Sequence, residues 1–286
     1  MSKFLTASQI QQFDDMVKHA YTQQGNVLRP TIRTKTGVVG SEYKFPTMGK
    51  GIATPRIPQT DVVPMNISHA RKSATLTDWN APEYTDVFDQ ATNNVNEQRE
   101  LAFVIAGAIG RREDQLILDA MDAASTTLTV GVNVGGTASN LNTAKCRLAK
   151  ARLDKKGVPM ADRYAAVHAN GMYGLLGDSD ANTFDKNAVK ALVDGQINQW
   201  LGFNFKVFDD RDEGGLPLAT NERTNYFYHG GVRGSMGLAV GLDQRTEVNY
   251  IPEKTSWLAN GLFKAGAVAI DPDGIVEVTT NESGAA

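Results

Sequence analysis

Sulfur and imidazole are scarce in this chain. The single cysteine, Cys146, excludes an intramolecular disulfide and fits assembly in a reducing compartment. Lys145 and Arg147 flank it, but nothing nearby completes a nucleophilic site, so a plain helical position is expected. His19, His69, His168 and His229 stand far apart. No two have a metal-ligand spacing and there is no HExxH pair, so a zinc site of the usual kind is excluded. No charge of one sign dominates either. Lys plus Arg number 29 and Asp plus Glu 32, a net −3, which gives no electrostatic ground for coating nucleic acid. Long apolar runs are missing too. Leu101–Ile109 is too short for a membrane span and is bounded by Arg99, Glu100, Arg111 and Arg112. The start, MSKFLTASQIQQFDD, turns polar and acidic where a secretion signal has its apolar stretch. A soluble protein made in the cytoplasm, with no membrane partner, is the expectation.

Local motifs for chemistry are equally thin. Gly49-Lys50-Gly51 lacks the first glycine and the Ser or Thr of a phosphate loop. GGVRGSMG, residues 230–237, does not give GxGxxG and reads as a tight loop. Asp209, Asp210, Asp212 and Glu213 precede Gly214-Gly215; they offer hard oxygen ligands for calcium, but a solvated acidic loop is the favoured reading. DPDG at 271–274 lacks the ligand series of a calcium loop. The basic residues from Lys145 to Lys156 are spread around a helix and interrupted by Asp154, which reads as solvated surface. No cofactor is expected.

What the chain does contain is an uneven alternation of helix and strand. Ile10, Phe13, Val17 and Tyr21 make one apolar stripe on a helix over 6–24. Residues 37–76 then read as a long hairpin: a strand with Tyr43 and Phe45, a turn-rich tip PTMGKGIATPRIPQ, and a return strand at 63–69 with Pro64 marking an edge. An isolated ribbon of this kind is not stable alone and must lie on another surface. A long helix is expected over 97–123, about 40 Å if unbroken by Gly107 and Gly110. A second helix runs from Asn142 to Lys155, followed by a buried strand at 163–169 and a short helix at 172–176. Another helix is expected over 186–201. The rest is strand: 203–210, 226–228, 236–242, 246–251, 257–270 and 275–279. No regular βαβ alternation exists, so the class is α+β.

Three of these segments, in this order, resemble the major capsid proteins of tailed bacteriophages, the Hong Kong 97-type fold. They are the hairpin GSEYKFPTMGKGIATPR (40–56), the helix ending AIGRREDQLILDAM (108–121) after a connecting stretch DWNAPEYTDVFDQ, and LDKKGVPMADRYAAVHANGMYGLLGD (153–178). The sheet-rich C-terminal part, TEVNYIPEKTSWLANGLFKAGAVAIDPDGIVEV, is similar to the family's return and closing strands. The resemblance implies an N-terminal arm (1–36) and an extended loop (37–76). It further implies a peripheral domain with the spine helix (77–160 plus strands from about 240–270) and an axial domain (161–239 plus 271–286). It implies a non-enzymatic shell subunit that self-assembles as hexamers and pentamers into an icosahedral head around double-stranded DNA. A separate scaffolding protein, a portal and a decoration protein are the expected partners, and the virion the expected location. Contacts between subunits are expected from Ile10, Phe13 and Val17 on the arm, and from Phe45, Met48, Ile52 and Arg56 on the hairpin. Asp209 and Asp210, on the loop 209–218, are expected near the ring centre. An encapsulin-like compartment is the nearest alternative. A hydrolase with a dispersed site around His168 or His229 is the alternative from another class.

Overall fold

The computed structural model describes residues 25–87, 97–126, 128–178 and 199–283. The arm stripe of Ile10, Phe13, Val17 and Tyr21 and most of the helix expected over 186–201 lie outside the described residues. Gln199–Trp200, assigned to that helix from sequence, form a short strand instead.

Three sheets and three α-helices, with three short 3-10 turns, make up the described residues. The first sheet has four strands: β1 (Arg33–Lys35), β11 (Met236–Ile251), β12 (Ser256–Ala269) and β4 (Thr77–Asp86), in that spatial order. β4 corrects the expectation of a mere connection at DWNAPEYTDVFDQ. Its Pro82 hides the strand from a propensity reading but is tolerated because β4 lies at the sheet edge. β11 is one continuous strand, not two; register shifts around Leu242 absorb the irregular middle.

A hairpin of β2 (Glu42–Met48) and β3 (His69–Thr75) forms the second sheet. The return strand is therefore six residues later than the alternation at 63–69 suggests. Pro64 and the left-handed Asn66 (φ 46°) break that alternation, while pairing from Met48↔His69 to Glu42↔Thr75 turns Phe45 and Ala74 inward.

The third sheet runs β5 (Thr129–Val130), β13 (Ile275–Asn281), β10 (Glu222–His229), β6 (Arg163–His168), β8 (Phe203–Phe208), β7 (Gln199–Trp200), with β9 (Leu218–Ala219) beside β10. Both faces are covered, so β10 is buried almost throughout and alternation sorts its side chains between two cores. Tyr226 and Tyr228 face one core with Phe208, Ala166 and Ile275. Phe227 faces the other with Ala165, Val167, Phe203 and Phe205.

The first core is closed by α1 (Glu97–Asp122), about 39 Å long at 1.5 Å per residue. Ile105 and Ile109 lie on Gly261 of β12, where a Cβ would come within 2.1 Å of Ile109, so helix and sheet approach closely. Ile117, Leu118 and Met121 continue the stripe towards the third sheet. The second core is closed by α2 (Thr143–Lys155) and α3 (Ala169–Leu176), through Cys146, Ala149, Leu153, Met172 and Leu175. Thus α2 packs with the third sheet, although the sequence grouped it with the long helix. Asn142 caps α2 by accepting the Lys145 N–H. Buried Arg163 ties the end of α2 to β6 through Asp154 and the carbonyls of Val158 and Pro159.

Candidate assembly surfaces

The hairpin divides into an anchored root and a free tip. At the root Phe45 is fully buried with Ala74, Leu76, Ala239 and Ile270. Its ring lies on Gly237 of β11, where a Cβ would come within 2.8 Å, and Tyr43 packs edge-on against it at 4.8 Å. Thr75 crosses Gly266 of β12 so closely that a Cβ would meet its carbonyl oxygen at 2.0 Å. The expectation that Phe45 contacts another subunit is therefore corrected: the inward pleat of β2 spends it on its own chain. Residues 49–68 carry no regular strand, and here the side chains are bare. Met48 is 70 % exposed, Ile52 81 % and Val62 89 %; Ile57, Val63 and Met65 are also exposed, as is Arg56. Residues 40–76 carry Lys44, Lys50, Arg56, Arg71 and Lys72 against only Glu42 and Asp61, so the hairpin is basic within an acidic chain.

A second feature is the point where the N-terminal segment joins the body. Residues 25–29 cross α1 at Gly110, whose carbonyl accepts the Asn26 N–H at 3.3 Å. One turn further on, fully buried Asp114 accepts the backbone N–H groups of Val27 (3.1 Å) and Leu28 (2.9 Å). Burial raises the Asp114 pKa, opposed by those two amides and by Arg211. Beside it, Glu113 is also buried and also pushed up by burial; Arg29 and Gln244 oppose the shift. Arg29 grips Asp243 with two bonds of 2.8 and 3.0 Å.

The acidic loop is pinned to the body by ion pairs, while Asp210 and Asp212 stay exposed as the solvated reading expects. Asp209 pairs with Arg211 at 2.9 Å, Arg211 reaches Asp114 at 3.4 Å, and Glu213 holds Arg111 at 2.9 Å. Gln115 clamps both backbone groups of Gly215. Asp210 pairs with Arg223 at 2.9 Å while staying largely exposed. The loop latches onto the middle of α1, so Asp209 and Asp210 make internal ion pairs, which the sequence reading had not foreseen. Among the described residues no group of His, Cys, Asp and Glu is arranged to hold a metal.

His168 ends β6, buried between Asp210 (3.3 Å from Nε2) and Glu282 (3.3 Å from Nδ1). Its Nδ1 also accepts the Asn170 N–H at the start of α3. Arg223 bonds both carboxylates, and Asn170 donates to Glu282. Among the described residues neither imidazole nitrogen hydrogen-bonds a serine or cysteine, and the geometry is that of a structural seam where β6 and β13 end and β10 begins. His229 lies at the end of β10, its pKa lowered by burial, and among the described residues no nucleophile is bonded to its ring. Sequence reasoning missed Asp114, Arg211, Arg223 and Glu282. The available signal was Asp114 itself, a charge in phase with Gly110, Ile117 and Met121 on the buried stripe of α1.

A shell subunit has such anchored struts and bare apolar tips, and the family comparison agrees: phage capsid proteins match residues 5–282. The chain belongs to the phage capsid protein family. It is a major capsid protein forming the phage head, a structural subunit and not an enzyme. Its fold is the Hong Kong 97 type. The head of Helicobacter pylori bacteriophage KHP40 is similar at TM-score 0.77 and 9% identity, over 95% of this chain and 96% of that one. The capsid of cyanophage P-SCSP1u gives 0.73 and 14%, over 96% and 93%. The capsid of cyanophage Pam1 gives 0.70 and 12%, over 99% and 100%. A comparison with curated proteins gives no match. The capsid protein self-assembles into a shell and is located in the virion.

Proposed function

We propose that the protein assembles as hexamers and pentamers into an icosahedral head that encloses double-stranded DNA, with the hairpin tip as its main link between copies. The observation that carries this reading is the split of one element: Phe45 fixes the root on its own sheet, while Met48, Ile52, Ile57, Val62 and Val63 are left in water. A cluster of that size needs apolar cover, and repetition around closed rings turns modest contacts into a stable shell. In this reading the first sheet with α1 is the peripheral domain, and the third sheet with α2 and α3 the axial domain. Ile10, Phe13 and Val17 dock on a neighbour, and the exposed edge of Asp210 remains open to one. Assembly takes place in the host cytoplasm on a separate scaffolding protein, with a portal and a decoration protein as further partners. The shell holds its genome without sequence-specific binding, in keeping with the net charge of −3.

Electron microscopy of the chain with and without residues 50–66, replaced by a short Gly-Ser turn, tests this. Closed shells from the parent and only small particles from the variant are expected. Wild-type shells from the variant would refute the role given to the hairpin.

A further inference from the structure

The segment 25–29 is fastened to α1 through a cluster in which one acid is poorly served. Arg29 bonds Asp243 of β11 twice, at 2.8 and 3.0 Å. The same guanidinium reaches Glu113 only at 3.5 Å, longer than a good hydrogen bond. Gln244 divides its amide between Asn26 at 2.8 Å and the Oε2 of Glu113. The other carboxyl oxygen, Oε1, is buried without a hydrogen-bond partner, on a side chain only 1% exposed. A charge placed there lacks the donors that would offset its loss of water, so the site takes a neutral carboxyl far more readily than a carboxylate. Glu113 is faced by Arg29 from the segment, by Asp243 from β11 and by Asp114 on its own helix. Around Asp114 stand Arg211 and Asp209 of the loop 209–218 and the Tyr228 phenol of β10.

We propose that Glu113 is a proton-operated catch for the N-terminal segment: as a carboxylic acid it lets residues 25–29 lie on α1, and loss of its proton releases them. The catch lies within one chain and does not depend on how copies meet. An ionised Glu113 draws Arg29 away from Asp243 or admits water beneath the segment, and either loosens it. Burial raises the Glu113 pKa in the fastened state, so that state binds more protons than the released one. The hold is full below the ordinary carboxylate range and is lost as pH rises through the raised value. Asp114, also raised by burial, adds in the same sense. Asp243 opposes them at the acid end: its bond to Arg29 lowers its pKa, and that grip is lost as pH falls.

Hydrogen exchange of the unassembled chain between about pH 5 and pH 8, corrected for the intrinsic rate at each pH, tests this. Protection of residues 26–29 should fall as pH rises, by up to about tenfold per pH unit where one proton is lost, while β6 stays protected. Glu113→Gln keeps the shape and cannot ionise, so its segment should stay protected throughout. Asp243→Asn leaves Arg29 to Glu113 alone and should shrink the fall. Unchanging protection in the parent, or the parent's full fall in either variant, overturns the catch. A fall shared by β6 reports global unfolding and overturns it too. If Glu113→Gln does not fold, Asp243→Asn against the parent decides alone.

Discussion

Gly25 and Gly110 are so close that a Cβ on Gly25 would lie 1.8 Å from the Gly110 carbonyl carbon. Two backbones touch there without side chains between them, which is what lets residues 25–28 lie flat on α1. Gly25→Ala should therefore cost about 1–3 kcal/mol, the usual range for overpacking against atoms that cannot yield. Gly110→Ala meets its neighbours at 3.1 Å and gains up to about 1 kcal/mol of helix propensity, so it should be clearly milder. Chemical denaturation of the unassembled chain compares the two; equal losses would refute the asymmetry.

Asp114 should be among the costliest polar positions. Asp114→Ala strands the buried amide of Leu28 and the half-buried amide of Val27 and removes one of the anchors of buried Arg211, with an expected loss of about 3–5 kcal/mol. Asp114→Asn keeps an acceptor oxygen and should lose less than half as much. The same denaturation curves decide it.

Phe45 and Ile52 share a hairpin but should fail differently. Phe45→Ala empties a buried site and should cost about 3–5 kcal/mol of folding stability. Ile52→Ala should leave the unfolding midpoint unchanged and slow shell formation, measured by light scattering. A reversed pattern would mean that root and tip have been assigned the wrong way round.

Lys145 gives a pH dependence of defined sign. Its ammonium is buried against the carbonyls of Ser139 and Thr279, and burial lowers its pKa from 10.5 to about 8. In the folded chain the proton leaves near pH 8, while the unfolded chain keeps it to about 10.5. The unfolded state thus binds more protons between those values, and this residue's contribution makes stability rise with pH there. Above about pH 10 the buried phenols of Tyr226 and Tyr228, held protonated, act in the opposite sense. Thermal unfolding from pH 7.5 to 10 should show the parent gaining relative to Lys145→Met; parallel curves would rule the effect out.

Strong periodicity was legible from the amino acids alone. The long helix, the helix capped by Asn142, and the strands RYAAVH and FNFKVF lie within a residue or two of their expected bounds. β4 was illegible because an edge strand with proline and acids has neither alternation nor strand propensity. The return strand was misplaced because the alternating Val63, Met65 and Ile67 belong to the bare tip, whose apolar residues are kept for something other than the chain's own core. Only tertiary pairing could show that Phe45 faces inward, since pleat direction depends on which surface lies beneath. The two ion pairs that latch the acidic loop to the long helix, Arg211–Asp114 and Glu213–Arg111, join residues about a hundred positions apart, beyond the reach of any local pattern.

The open edge of the four-stranded sheet bears on the fidelity of construction. β4 presents Asp78, Pro82, Glu83 and Asp86 to solvent, a combination that discourages another strand from adding to the sheet. In a growing head, where hundreds of identical edges are crowded together, a sticky one would fuse misaligned neighbours through backbone bonds that rarely reopen. With that route blocked, copies are left to meet through side chains, whose weak individual grips let a wrongly placed subunit come away before the lattice closes over it.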